Sequence, residues 1–365
     1  MKIPLVDLKA NYLSIKNEID SAIRDVIYNT SFIMGPHVKE FDENFAKYIG
    51  TKYCSGVANG TVALHLALNT LGIKKDDEVI TVPNTFIATT EAITMCGAKP
   101  VFVDIDPENF NINPKLIEAA ITKKTKAIIC VHLYGQSCDM DPILKICKKN
   151  NLFLIEDAAQ AHGAEYKGRK LGTFGYIGCF SMFPAKVLGA YGDAGAVVTN
   201  NDKIGPLIAK LRDHGRITKY EHLIEGFNYR IDALQSAILN VKLRYLDQWI
   251  EARRNKAKIY NELLSGIVET PKEENYAKHT YYMYVIRCKN RDDLQEFLKQ
   301  NDIGTGIHYP IPLHLQPALK YLGYKKRDFP EAEIVAEEIL SIPMYPELSL
   351  QQINYIVEKI KEFYS

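Results

Sequence analysis

No Cys-x-x-Cys pair occurs among the seven cysteines (Cys54, Cys96, Cys130, Cys138, Cys147, Cys179 and Cys288), which removes a zinc ribbon. An odd set cannot pair completely and fits reduced thiols better than a disulfide framework, so the cytoplasm is the expected compartment. No apolar run approaches the ~18 residues of a membrane span. The first stretch, Met1–Asp7, breaks its apolar run with an Asp, so neither insertion nor export is expected. An excess of either charge is missing too: 45 Lys plus Arg stand against 44 Asp plus Glu, a formal charge of +1. Nucleic acid is therefore not an expected partner, and any anionic ligand must be recognised locally. The G-x-G-x-x-G fingerprint is absent as well. Gly189, Gly192 and Gly195 have the wrong spacing and the wrong neighbours, which disfavours a nicotinamide site. Internal repeats and low-complexity tracts are lacking.

What remains is a chain of 365 residues, 47% hydrophobic and 24% charged, of a size and texture that bury a large core, with two domains as the expectation from length. Between residues 53 and 200, short apolar runs alternate with helical stretches. Tyr53–Val57 precedes Thr61–Leu71, Glu78–Val82 precedes Ile87–Cys96, Pro100–Val103 precedes Pro114–Ile121, and Ala127–Val131 precedes Pro142–Lys149; Phe153–Ile155 follows. Runs apolar throughout, separated by helices, predict a largely parallel sheet covered on both faces, an α/β three-layer domain. Phe180–Met182 and Ala196–Thr199 read as two more strands. Ile231 to about Leu264 has helical spacing over a length that could bridge two domains. Beyond it, a strand (Tyr281–Arg287), a helix (Asp292–Gln300), a short strand (Gly304–His308) and helices near Glu331–Leu340 and Leu350–Tyr364 predict a smaller α+β unit. The expected division is 1–240 and 241–365, with residues 1–30 as a segment that packs on the small domain.

Three segments could carry chemistry. In Ala58-Asn59-Gly60-Thr61-Val62-Ala63 a strand turns into a helix whose first amides lack intrahelical acceptors and suit a phosphate; the plainer reading makes Thr61 an N-cap. In Phe153-Leu154-Ile155-Glu156-Asp157-Ala158-Ala159-Gln160-Ala161-His162 a buried strand ends in two carboxylates, where open parallel sheets bind ligands; alternatively both cap a following helix. In Phe180-Ser181-Met182-Phe183-Pro184-Ala185-Lys186 a lysine sits in an apolar, Gly- and Pro-bounded stretch suited to a Schiff base, although a lone lysine is usually solvated.

Together these segments resemble the DegT/DnrJ/EryC1/StrS sugar-nucleotide aminotransferases, within the aspartate-aminotransferase fold that uses pyridoxal phosphate. The resemblance runs from Pro4-Leu5-Val6-Asp7-Leu8 through Gly226-Phe227-Asn228-Tyr229-Arg230 and His308-Tyr309-Pro310 to the C-terminal helices. It implies a three-layer fold with a mostly parallel mixed sheet. It places Lys186 as the Schiff-base lysine, Asp157 at the pyridinium nitrogen, Gln160 near the ring hydroxyl and Phe86 stacked on the ring. Gly60, Thr61, Val62 and Ser181 would hold the phosphate, with Asn228 reaching in from a second subunit of a homodimer. For Phe86 the plain alternative is ordinary core.

The resemblance further implies substrate contacts at His308 and Tyr309, and at Tyr220 and His222 in a nucleotide-contacting loop; His162 is a further candidate. Arg230 could grip the donor carboxylate or form a structural salt bridge. No metal is expected, since His308 and His314 lack Cys or carboxylate partners at ligand spacing. The implied reaction is ping-pong transfer from L-glutamate, through pyridoxamine phosphate, to C-3 of a dTDP-linked 3-keto-6-deoxyhexose, because the segment Gly306–His314 looks most like members acting at C-3. The alternatives are 4-amination of a UDP- or dTDP-4-keto-6-deoxy sugar, a cofactor-dependent dehydratase, and a non-catalytic protein that binds pyridoxal phosphate.

Overall fold

A run such as Ala127-Ile128-Ile129-Cys130-Val131 points apolar side chains to both faces of its strand and is stable only between two covering layers. The computed structural model, which describes all 365 residues, shows that arrangement. Its strands are β1 (Tyr53–Val57), β2 (Glu78–Thr81), β3 (Lys99–Phe102), β4 (Thr125–Val131), β5 (Phe153–Asp157), β6 (Glu165–Tyr166), β7 (Arg169–Lys170), β8 (Ile177–Ser181), β9 (Gly195–Thr199), β10 (Ala277–Lys278), β11 (Tyr284–Arg287) and β12 (Ile339–Ile342). Seven form the main sheet in the order β1-β9-β8-β5-β4-β2-β3. The steps from β8 to β3 are parallel, and β9 runs against both of its neighbours.

The two faces of β4 go to different cores. Ile128 and Cys130 pack in a layer with Phe41, Phe45, Ile143 and Leu239. Ala127 and Ile129 pack with Leu64, Leu68, Ile93 and Ile208. A third core joins Ile3, Tyr260, Tyr284, Leu294, Ile342 and Ile356 around the pair β11–β12. No helix is long and apolar enough to cross a membrane.

Several local expectations are corrected. The long helix from Ile231 is two, Ala233–Leu243 and Leu246–Leu264. They join at Tyr245, whose ring stacks on Trp249 and whose hydroxyl bonds Glu18. The first helix packs against Ile15 and Ile19, whereas the second supplies Ala257 and Leu264 to the small core. The amino-terminal segment is accordingly split. Ile3 bridges to Ile303 beside the small core, while helix Lys16–Tyr28 lies on helix Ala233–Leu243.

Gly304–His308 is no strand but an extended segment with a single bridge from Gly306 to Ser341. A Cβ on Gly304 would come within 2.8 Å of the Leu5 amide, so the chain is pressed there against the amino terminus. The helix placed near Glu331–Leu340 ends at Glu338, and Ile339–Ile342 forms β12; a short apolar run does not reveal its period. Pro114–Ile121 forms one helical turn and a 3₁₀ turn. The N-cap of helix Gly60–Thr70 is Asn59, not Thr61, because Asn59 Oδ1 accepts the Val62 amide at 2.9 Å.

No helix follows Glu156 and Asp157, so neither is a cap. Glu156 is fully buried and accepts the amides of Gly172 (2.7 Å), Phe174 (2.6 Å) and Gly175 (2.7 Å), with His132 Nε2 at 3.2 Å. Four donors on one carboxylate hold the connection from β5 to β8. Glu156→Gln would turn an NH₂ toward amides that need an acceptor, and should lower stability by ~3 kcal/mol or more. Urea unfolding of the variant tests this; a loss below ~1 kcal/mol would contradict the anchoring role.

Candidate active site

Ligands of open parallel sheets bind beyond the carboxyl ends of the strands, and there β5 ends in Asp157 and β8 in Ser181. The start of helix Gly60–Thr70 is drawn against them. A Cβ on Gly60 would lie 2.6 Å from the Ser181 Cβ, so only glycine permits this approach. The amides of Gly60 and Thr61 stand at a helix start beside the Ser181 hydroxyl, a donor set for a phosphate. The Val62 amide, expected in that set, is already taken by Asn59.

Asp157 is buried; Oδ2 accepts the Thr89 hydroxyl at 3.0 Å and Oδ1 the Ala159 amide at 3.2 Å. Burial pushes its pKa up, while the Ala159 amide, the Thr89 hydroxyl and the Lys186 charge oppose that rise. Lys186 is half-buried, with Nζ 4.4 Å from the ring centroid of Tyr282.

Gln160 is held from both ends. Its Oε1 accepts the Tyr134 amide at 2.8 Å, and its Nε2 donates to the Tyr309 hydroxyl at 3.1 Å. Tyr134, at φ 58°, also donates its hydroxyl to the His308 carbonyl. Phe86 lies 5.8 Å from the Tyr309 ring and is 54% exposed, which rules out the core alternative. His308 Nδ1 is 2.9 Å from Ser341 Oγ, and burial together with the Lys186 charge lowers its pKa to about 4.

Other expected residues sit elsewhere. His162 is fully buried against Phe180, with neither ring nitrogen hydrogen-bonded, and burial lowers its pKa to about 3. It presents no surface to a substrate, which corrects its place among the contacts. Arg230 donates to Asp213 Oδ1 at 2.8 Å and to Asn228 Oδ1 at 2.7 Å. Arg230 thus pairs with Asp213 in this chain, and Asn228 is exposed beside it. Tyr220, 83% exposed, and His222, bonded to the His214 carbonyl at 2.8 Å, stand on a projecting loop.

Thr89, Tyr134, Tyr282 and Ser341 were not legible as site residues. Only Thr89, three positions after Phe86 at the start of a helix, carried a local hint. His314 does meet a carboxylate, Glu333 at 3.0 Å, but in a buried hydrogen bond between the two side chains. Cys130, His132 and Cys138 lie close together. His132 accepts the Cys138 amide at Nδ1 (3.1 Å) and faces Glu156 at Nε2, which leaves no lone pair for a metal.

The family description of the DegT/DnrJ/EryC1/StrS aminotransferases matches residues 13–361. A pleiotropic regulatory protein of Geobacillus stearothermophilus is 48% identical over 100% of this chain and 99% of its own. The UDP-2-acetamido-2-deoxy-3-oxo-D-glucuronate aminotransferase of Pseudomonas aeruginosa is 42% identical, covering 97% and 98%. The dTDP-3-amino-3,6-dideoxy-alpha-D-galactopyranose transaminase of Aneurinibacillus thermoaerophilus is also 42% identical, covering 99% of both chains. Among solved structures, DesV of S. venezuelae in complex with a ketimine intermediate superposes with a TM-score of 0.98 at 37% identity, covering 100% and 99%.

The chain belongs to the DegT/DnrJ/EryC1/StrS aminotransferase family. It is an aminotransferase that works with pyridoxal phosphate. Its residues fit that group: a lysine and a buried carboxylate at one sheet edge, an exposed aromatic ring, and helix-start amides beside a serine hydroxyl.

Neutral buried histidines make a pH prediction. His162 and His279 are held at about 3 and His308 at about 4, against ~6.5 in an unfolded chain. Between those values the unfolded state binds protons that the folded state refuses, so stability present above pH ~6.5 is lost as pH falls. His162→Leu should remove ~2 kcal/mol of the loss between pH 7 and 4.5. Urea midpoints at both pH values read it; an unchanged slope would refute the neutral buried state.

Proposed function

We propose that the chain moves an amino group from L-glutamate to C-3 of a nucleotide-linked 3-keto-6-deoxyhexose carried on dTDP, giving a 3-amino-3,6-dideoxy sugar nucleotide. The observation that carries the aminotransferase reading is the convergence of Lys186, Asp157, Gln160, Phe86 and Tyr309 beyond the carboxyl ends of the central strands. In its coarser form the chain is a sugar-nucleotide aminotransferase. Two of the relatives support position C-3 by their names, one on a dTDP sugar and one on a UDP sugar. The nucleotide is the finer choice.

Bound pyridoxal phosphate supplies the electron sink for the carbon that loses its proton. Lys186 is the group that would tether it, and once displaced its amine carries the proton between substrate carbon and cofactor. Asp157, fixed by Thr89 and Ala159, would accept the ring N–H; Gln160, locked between Tyr134 and Tyr309, can turn only one face to the ring hydroxyl. The Gly60 and Thr61 amides and the Ser181 hydroxyl would take the phosphate. His308 and Tyr309 would line the sugar cavity, with Tyr220 and His222 serving a neighbouring subunit's nucleotide.

The site is completed, in this reading, by Asn228 of a second copy. An exposed apolar strip, with Tyr28 at 88% and Ile27, Phe32 and Ile33 each near half, supports such a homodimer. We keep the division into a large unit, 1–240, and a small one, 241–365, whose boundary falls in the last turn of helix Ala233–Leu243, just before the break near Tyr245.

Lys186→Ala should lower turnover at least ~1,000-fold while cofactor still binds, and Asp157→Asn should slow it strongly with the fold intact. Wild-type rates would remove either role. Mass spectrometry and NMR of products from L-glutamate with dTDP- and UDP-linked 3-keto and 4-keto sugars should place the amine at C-3; an amine at C-4 would overturn the position and keep the enzyme class. Mixing Lys186→Ala with Asn228→Ala chains should restore activity through hybrid dimers. No recovery despite verified exchange would count against a shared site.

A further inference from the structure

Tyr282 has no part in the reaction as set out above, yet it lies against Lys186. The ring centroid is 4.4 Å from Nζ, inside the ~6 Å of a cation–π contact. The residue is 6% exposed. Its backbone is anchored by the buried Arg253, whose Nη1 donates to the carbonyls of Tyr281 (3.4 Å), Tyr282 (3.3 Å) and Met344 (2.7 Å). The backbone of residue 282 is thus fixed by a guanidinium, and its ring lies buried against the lysine.

In transamination the lysine is covalently engaged for only part of the cycle. For the rest it is a free amine or ammonium in a half-buried site. Of the groups whose charge couples to it, Asp157 is committed to Thr89 and Ala159, and His162 and His308 are held neutral and repel it when protonated. Tyr309 is committed to Gln160. The ring face of Tyr282 is the surface that the Lys186 Nζ meets, 4.4 Å from its centroid.

We propose that Tyr282 is a positioning residue whose ring face holds the freed Lys186 ammonium between its two turns as proton carrier. The inference rests on the aminotransferase reading of Lys186. It is the ring and not the hydroxyl that acts, so Tyr282→Phe keeps the function and Tyr282→Leu loses it.

Two measurements test this. In the cofactor-free protein with ¹³C-labelled lysine, the Lys186 ε-methylene, assigned with Lys186→Arg, should be shifted upfield by the ring current in wild type and Tyr282→Phe and should return to the ordinary lysine position in Tyr282→Leu. In the loaded enzyme, single turnover of L-glutamate and its α-deuterated form should be about ten-fold slower in Tyr282→Leu, with a larger isotope effect and an unchanged KM. Tyr282→Phe should stay within about three-fold of wild type.

If Tyr282→Leu does not fold, phenylalanines of increasing fluorination at position 282 keep the shape and weaken the ring face, and the rate should fall stepwise. A flat series, or an ε-methylene at the ordinary lysine position in wild type, overturns the proposal. Lys186→Ala is run alongside. If it retains wild-type turnover, the reading of Lys186 itself has failed; if it is inactive, a flat series counts against Tyr282 alone.

Discussion

The site hangs on a carboxylate that never touches a substrate. Glu156 sits where β5 leaves the sheet and gathers three amides of residues 172–175 and the imidazole of His132. That fixes β5 against β4 on one side and against the approach to β8 on the other. Asp157 and Ser181 are the last residues of those strands, and Lys186 follows five residues on. Loosening Glu156 would therefore disturb Asp157, Ser181 and Lys186 together. The buried charge is tolerable because each oxygen carries two donors.

The strand period separates Glu156 from Asp157. Leu154 packs on one face with Phe41 and Phe45, and Ile155 on the other with Leu64 and Ile93. Glu156 follows Leu154's side and Asp157 follows Ile155's. Two adjacent acids thus meet different surroundings, one saturated with amides and one left with two donors and an open edge. Around the second, the chain assembles few charges. His162 and His308 are buried and held neutral, the Tyr309 and Tyr134 hydroxyls are bonded to an amide and a carbonyl, and the lysine rests on a ring. The Lys186 charge acts on Asp157, His162 and His308 alike.

Alternating strands and helices to residue 200 were legible because buried parallel strands are apolar throughout, and such runs survive in one dimension. So were the strand-end Asp157, the lysine in its apolar stretch and the glycine turn at Gly60, since each depends on near neighbours. The second half was less legible. Ile231–Leu264 has unbroken helical spacing, yet the helix breaks near Tyr245, and only the end of its second part, from Ala257 on, enters the small core. Ile339–Ile342 could be either period and became a strand because β11 was there to pair with it.

By itself, then, the sequence determined the layered α/β plan and the order in which a lysine, a carboxylate and a phosphate-binding turn come along it, because those follow from local period and side-chain chemistry. Only the tertiary structure decided that Phe86 stands exposed, that His162 is sealed away, that Arg230 pairs with Asp213, and that Tyr134, Tyr282 and Ser341 meet the site. These contacts join residues up to 174 positions apart. Which distant side chains meet is set by how the layers and the small unit pack, and no local pattern in the chain encodes it.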